Sequence, residues 1–261
     1  MDLSVVIPVY NGASFVAERL ALLAGHLDRS GLDYEILAVD DGSTDGTADA
    51  LRSIPHPRVR SLLGGANRGK FGAIKRGMAE TKGRCALFTD ADVPYELAAV
   101  DYLAGLVLSG GFHIAIGDRT LPGSTYAAAM PPLRRLATHV FSMCLRLFFT
   151  GGLHDTQCGI KAFRGDAARA LFPLLQEEGF AGDVEVLYIA LKLNLAIRRV
   201  PVRLRFQGPS TVSTWKHAVG MFGAIFRARG RYGRSEYFSA ALEAIAAQHY
   251  GETLRDTGTR A

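Results

Sequence analysis

An α/β domain is the fold this sequence predicts, with a mostly parallel central sheet and helices on both faces. Three observations lead there. Short apolar runs alternate with amphipathic stretches from Leu3 to Thr89, and two of the runs close on acidic corners, Val39-Asp40-Asp41-Gly42 and Thr89-Asp90-Ala91-Asp92. The chain of 261 residues, 48% hydrophobic and 21% charged, is long enough for one large core and too apolar to be disordered. Strands separated by helices in this rhythm pair in parallel and gather ligands at their carboxyl ends.

Taken in order, Leu3 to Ile7 is a short apolar strand. Val16, Leu20, Leu23 and Leu27 then recur at helical spacing until Ser30-Gly31 stops that helix. Tyr34 to Val39 is the next strand, followed by a helix after Thr44 and a strand at Val59 to Leu63. A helix from Lys70 to about Thr81 places Phe71, Ile74 and Met78 on one side, and Arg84 to Thr89 makes the fourth strand. The rhythm loosens after residue 95, where Phe112 to Gly117 is a strand and Leu121 to Pro132 a loop rich in Pro and Gly. Leu133 to Phe149 reads as a helix with a wide apolar face flanked by Arg134, Arg135 and Arg146, either interfacial or part of the core. The expected organisation is one domain over 1–235, then a C-terminal helix and polar tail over 236–261.

Charge and cysteine usage narrow the function classes. A net charge of +5, with arginines gathered from Arg227 to Arg234, suits anionic surfaces, but no recognition motif or aromatic-basic platform points to nucleic acid. Cys85, Cys144 and Cys158 are widely spaced and form no metal-ligand pattern, which fits a reduced, cytoplasmic chain. Met1-Asp2 runs straight into a strand, so no signal peptide is expected. No stretch reaches the ~18 to 20 apolar residues needed to span a bilayer, so any membrane contact is expected to be peripheral, at its cytoplasmic face.

Four motifs carry a resemblance. Ser4-Val-Val-Ile-Pro-Val-Tyr-Asn11, Val39-Asp-Asp-Gly-Ser-Thr-Asp-Gly-Thr47, Asn67-Arg-Gly-Lys70 and Thr89-Asp-Ala-Asp92 resemble, in order and spacing, the family 2 glycosyltransferases of the GT-A fold. Asp155-Thr-Gln-Cys-Gly-Ile-Lys-Ala-Phe163, Asp183-Val-Glu185, Val200-Pro-Val202 and Ser210-Thr-Val212 look like the branch acting on dolichyl phosphate, the glucosyl side more than the mannosyl side. The likeness runs from about residue 3 to about 225.

That resemblance implies an inverting, metal-dependent enzyme using a nucleotide sugar, with UDP-glucose favoured over GDP-mannose. A polyprenyl phosphate is the favoured acceptor and a soluble hydroxyl the alternative. Pro8, Tyr10, Asn11, Asp40, Asp41 and Lys70 match the nucleotide-sugar pocket. Asp92 is the first choice for direct ligation of magnesium or manganese, with Asp90 reaching metal, ribose or sugar, because hard oxygen ligands suit these ions. Gly12 stands where many members of the family have Glu. Arg119 matches the arginine that holds an acceptor phosphate; Arg135, Gln157 and Lys161 are further acceptor residues, with Arg203 and Arg205 beside them. An ionised phosphate needs no strong base, whereas an alcohol would need Asp155 or Asp183 to take its proton. Attachment to lipid would draw on Leu133 to Phe149, on Ala218 to Phe226 and on the following arginines. A nucleotide-binding scaffold is disfavoured because the carboxylates persist. A nucleotidyltransferase is disfavoured because no glycine-rich pyrophosphate loop stands near the N-terminus.

Overall fold

The computed structural model describes residues 1–109, 111–125, 153, 155–205 and 214–248. Strands β1 (Leu3–Val9) and β2 (Tyr34–Asp40) are buried at almost every position, as central parallel strands covered on both faces must be. With β3 (Val59–Leu62), β4 (Cys85–Phe88), β5 (Ile114–Asp118), β6 (Lys161–Arg164) and β7 (Ile197–Pro201) they form one sheet in the order β3-β2-β1-β4-β6-β5-β7. β6 runs antiparallel to both neighbours, and every other pair is parallel.

Register explains an apparent anomaly. Proline is poorly tolerated inside a central strand because it lacks a ladder donor. Pro8 nevertheless belongs to β1, since pairing with β4 ends at Val6↔Phe88 while pairing with β2 continues to Val9↔Asp40. Pro201 ends β7, which lies at the sheet edge where a missing donor costs little.

Side chains alternate across the sheet and feed two cores. Val6, Leu37, Val39, Phe88, Ile116 and Phe163 face a cluster that includes helices α3 (Lys70–Ala79), α5 (Gly165–Leu171), α6 (Gly182–Lys192) and α8 (Ala240–Ala246). Val5, Ile7, Ile36, Ala38, Leu87 and Ala115 face the other, against α1 (Val16–Leu27), α2 (Thr47–Arg52) and α4 (Ala98–Leu108). A long helix, α7 (Thr214–Gly233), precedes α8. The segment beyond residue 235 adds Tyr237, Leu242 and Ile245 to the first core.

The first four strands and the helices between them fall where periodicity predicts, within a few residues at their ends. Helix α4 does not: the sequence reading leaves it unassigned, because Ala98-Ala-Val-Asp-Tyr-Leu-Ala-Gly-Leu-Val-Leu108 is apolar on nearly every side and shows little amphipathic contrast. Strands β6 and β7 are likewise unassigned there, being short and seated inside motifs. The predicted helix over Leu133–Phe149 lies outside the described residues.

Helix α3 is the element that most directly serves the site. Gly77 lies where it crosses the sheet, and a Cβ there would stand 2.4 Å from Val6 Cγ1 and 2.9 Å from Val39 Cγ2. The missing side chain lets α3 press on β1 and β2, which places its first residue, Lys70, over the carboxyl ends of the strands.

Candidate active site

The carboxyl ends of β1, β2 and β4 lie side by side and carry Tyr10 and Asn11, Asp40 and Asp41, and Asp90 to Asp92. The first two loops are interlocked. Asn11, in the left-handed region at φ 49°, donates its backbone N–H to Ser43 Oγ (2.9 Å) and accepts from the Thr44 amide through Oδ1 (2.9 Å). The Gly12 amide donates to Thr47 Oγ1 at 2.8 Å. Asn11 therefore shapes the pocket by holding the next loop, while Tyr10 is 54% exposed at the rim.

Beside these loops opens a cleft of about 750 Å³ lined by Asp40, Asp41, Gly64, Gly65, Arg68 and Glu178 among others. Asp40 Oδ1 accepts from the Ser43 amide at 3.1 Å, and Asp41 Oδ1 accepts from the Arg68 amide at 2.9 Å. Burial pushes the Asp41 carboxyl above the ordinary range, and the neighbouring Asp40 and Glu178 charges add to that. A carboxylate at a cleft wall can accept a hydrogen bond from a ring N–H donor.

The Asp90–Asp92 turn is tight. Val93 donates to the Asp90 carbonyl at 3.0 Å and has φ 45°, a conformation that a β-branched residue adopts only under constraint. Lys70 Nζ lies 2.6 Å from Asp90 Oδ1. Burial alone would depress that ammonium, but Asp90 and Asp183 outweigh it and hold Lys70 above the usual lysine value. Desolvation, reinforced by Asp90, raises the Asp92 carboxyl, and no salt bridge among the described residues reaches Asp92.

The loop 155–160 closes over this turn. A Cβ on Gly159 would fall 1.8 Å from Asp90 Oδ2, so only glycine fits. Tyr95, three residues beyond Asp92, fixes that loop: its Oη accepts the Gly159 amide at 2.8 Å and meets Cys158 Sγ at 3.4 Å. The sequence reading names neither Gly159 nor Tyr95 as a site residue. The glycine inside Asp-Thr-Gln-Cys-Gly was a usable signal; the tyrosine carried none.

On the far side, two of the expected acceptor residues, Arg119 and Lys161, are each paired with a carboxylate considered as a base, Asp155 and Asp183. Arg119 grips Asp155 with Nε at 2.6 Å and Nη2 at 2.8 Å, and its amide adds a third bond at 2.9 Å. Burial opposes the Asp155 charge, yet this bidentate grip wins and holds its carboxyl below the ordinary range. Lys161, read as an acceptor ligand, is instead wholly interior: Nζ donates to the Cys158 carbonyl at 2.7 Å and to Asp183 Oδ1 at 2.5 Å. Gln157 reaches the Phe180 carbonyl at 3.4 Å. Arg203 and Arg205 have exposed side chains, and their backbones bond to Glu96 and Pro94 just after the acidic turn. Arg135 lies outside the described residues.

The match to known proteins decides the family. Residues 4–172 fit the model of "Glycosyl transferase family 2". This chain belongs to that family. The glycosyltransferase is similar to proteins named dolichyl-phosphate beta-glucosyltransferase in Dictyostelium discoideum and Drosophila melanogaster. Identity to the first is 33% over 243 residues (88% of this chain, 74% of the relative), and to the second 34% over 217 residues (78% and 67%). A crystal structure of glucosyl-3-phosphoglycerate synthase from Mycobacterium tuberculosis with Mn2+, UDP and glucosyl-3-phosphoglycerate superposes with a TM-score of 0.67 at 20% identity, covering 88% of this chain and 80% of that one. That likeness shows a shared GT-A fold.

The donor set of this glycosyltransferase fits a hard divalent cation. Asp90 and Asp92 place two carboxylates in one strained turn, and Asp92 is half-buried with its charge opposed by Asp90. A cation there would relieve that opposition. No group of three or more His, Cys, Asp or Glu side chains that could hold a metal ion is assembled among the described residues.

Two outcomes test this geometry. Gly159→Ala should displace the Asp90 carboxylate and cut turnover by about a hundredfold, as misplacement by ~1 Å does, with little change in Tm; full activity would show that the loop has room to give. Asp183→Asn should lose about 3 kcal/mol in urea denaturation by leaving the Lys161 charge buried and unpaired, whereas Lys161→Met/Asp183→Leu should recover most of it. If the folded double variant is also active, Asp183 takes no part in the chemistry.

Proposed function

We propose that this glycosyltransferase moves glucose from UDP-glucose to a polyprenyl phosphate, with inversion at the anomeric carbon. The names of its relatives support the sugar and the acceptor class. The neighbour crystallised with Mn2+ and UDP supports the nucleotide.

One observation carries the acceptor reading: neither carboxylate available to deprotonate an alcohol is at liberty to do so. Asp155 is gripped by Arg119 and held below the usual range, and Asp183 is buried against Lys161. A phosphate acceptor arrives ionised and needs no base. It needs a cation nearby, the role proposed for Arg119, whose Nε and Nη2 are held on Asp155.

On the donor side, Asp40 and Asp41 accept from the base and ribose in the 750 Å³ cleft. Asp92, with Asp90, would hold a magnesium or manganese ion, whose charge would offset that building on the diphosphate leaving group. Lys70 stands 2.6 Å from Asp90, close enough to add its charge to the same phosphates. Gly159 closes the turn from above, so the loop bearing Asp155 and the donor carboxylates keep a fixed separation. That fixed separation orients attack.

Contact with the lipid is peripheral in this reading, at the cytoplasmic face. No helix among the described residues is long and apolar enough to cross a membrane. Phe226 and Phe238 are each 63% exposed, and Phe226 lines a surface depression with Arg227, Arg231 and Arg234, a mixture of apolar area and positive charge of the kind that binds anionic bilayers.

Incubation with labelled UDP-glucose or GDP-mannose, magnesium or manganese, and a short-chain polyprenyl phosphate should give labelled lipid from UDP-glucose. Transfer only from GDP-mannose, or only to a small alcohol, would overturn the donor or the acceptor. Asp92→Ala should lower the rate at least a hundredfold, in the range of losing one strong electrostatic contact; unchanged turnover would remove the metal assignment. In vesicle flotation the protein should rise with anionic liposomes and less so as Phe226→Asp/Phe238→Asp. Equal flotation of both proteins would clear this surface of any lipid role.

A further inference from the structure

Residues 175–181 cross the start of helix α3 and form a wall of the donor cleft through Glu178. The Glu178 carbonyl accepts from the Phe71 amide at 2.8 Å and from the Gly72 amide at 2.9 Å. Two of the unpaired donors at the start of α3 are thus satisfied by this segment. Gly69, at φ 81°, permits the approach; a Cβ there would stand 3.0 Å from that same oxygen. Lys75 Nζ donates to the Leu175 carbonyl from one turn further on. The helix that begins at Lys70 is therefore positioned by a backbone segment more than a hundred residues away in sequence.

That segment is gripped from behind. Arg227 holds Glu177 with Nε at 3.1 Å and Nη2 at 2.8 Å, and Arg231 Nη1 reaches both Glu177 Oε1 and Glu185 Oε1 at 3.2 Å. Glu185 is 2% exposed, and its other oxygen accepts from the Gln176 and Glu177 amides at 2.9 and 2.8 Å. Tyr237 Oη donates to Glu185 Oε1 at 2.5 Å and fastens the turn after α7 to the same carboxylate. Burial opposes the Glu177 charge, but the two guanidinium groups hold its carboxyl below the usual range. Charges clustered this tightly form a rigid joint, because each is satisfied only in one arrangement.

We infer that residues 175–181 are a brace through which helix α7 holds the donor cleft and Lys70 in place, with Arg231 a positioning residue for nucleotide-sugar binding. This deepens the proposed function and rests on Asp40 and Asp41 marking the donor pocket. Among the described residues, none of α7 lines that pocket. Its effect travels from Arg231 through Glu177 and Glu185 to the Glu178 carbonyl and the first turn of α3.

Hydrogen exchange and UDP titration calorimetry, on the full chain, read the two ends of this path. Arg231→Met should speed exchange at the Gln176, Glu177, Phe71 and Gly72 amides and weaken UDP about five- to tenfold, a usual size for coupling between sites. Glu177→Gln should do the same, and Arg231→Lys should recover part of both effects. Leu242→Ala, which thins the core without touching the brace, is the control at matched Tm. The inference is overturned if Arg231→Met leaves exchange at Phe71 and Gly72 unchanged, if it leaves UDP affinity unchanged, or if Leu242→Ala weakens UDP equally. Failure of the wild type to bind UDP would sink the donor assignment alone. The exchange arm needs no ligand, and would still support or overturn the brace.

Discussion

The parallel pairing of β1 with β2 on one side and β4 on the other is the constraint on which the site depends. Register Val9↔Asp40 and Val6↔Phe88 carries both acidic corners to one edge of the sheet, although they are far apart in the chain. Because β1, β2 and β4 run in one direction, the loops that follow them share that edge, and the antiparallel β6 brings the loop before its start, 155–160, to the same place. Gly77 completes the arrangement by letting α3 lie close enough to bring Lys70 to Asp90.

Charge inside this molecule is managed by pairing. Arg119 with Asp155, Lys161 with Asp183, and Arg199 with Asp118 at 2.6 Å each put a carboxylate at most 6% exposed against a cation. A buried carboxylate without such a partner would cost several kcal/mol. Asp40, Asp41 and Asp92 depart from that pattern: no salt bridge among the described residues reaches them, the Asp41 and Asp92 carboxyls are both raised, and Asp92 sits in a turn strained at Val93. Local rules that fail together in one turn mark a place shaped by function.

The cluster of carboxylates and Lys70 at the strand ends was legible in advance, and the pairings around Asp155 and Asp183 much less so. Asp40, Asp41, Asp90, Asp92 and Lys70 stand on contiguous motifs at the ends of strands that periodicity reveals, so their convergence follows from α/β topology. Lys161 and Asp183 resemble acceptor and catalytic residues equally well in sequence, since a motif records residue types and says nothing of burial. Their 2.5 Å pairing depends on β6 entering the sheet antiparallel, between β4 and β5, a placement that four residues of sequence do not announce. Tyr95 and Glu178 act through one hydroxyl and one backbone carbonyl, and a backbone carbonyl has no residue type to recognise.

By itself, then, the sequence determined the layered α/β architecture, the parallel first half and the two acidic corners, because hydrophobic periodicity and turn chemistry are local. Asp90-Ala91-Asp92 could be seen to end a strand. Only the tertiary structure decided what each carboxylate meets: Lys70 and the Gly159 backbone at Asp90, Arg119 at Asp155, Lys161 at Asp183. Those partners come from distant segments, and whether a charge is free or neutralised is a property of three-dimensional neighbours that no spacing along the chain encodes.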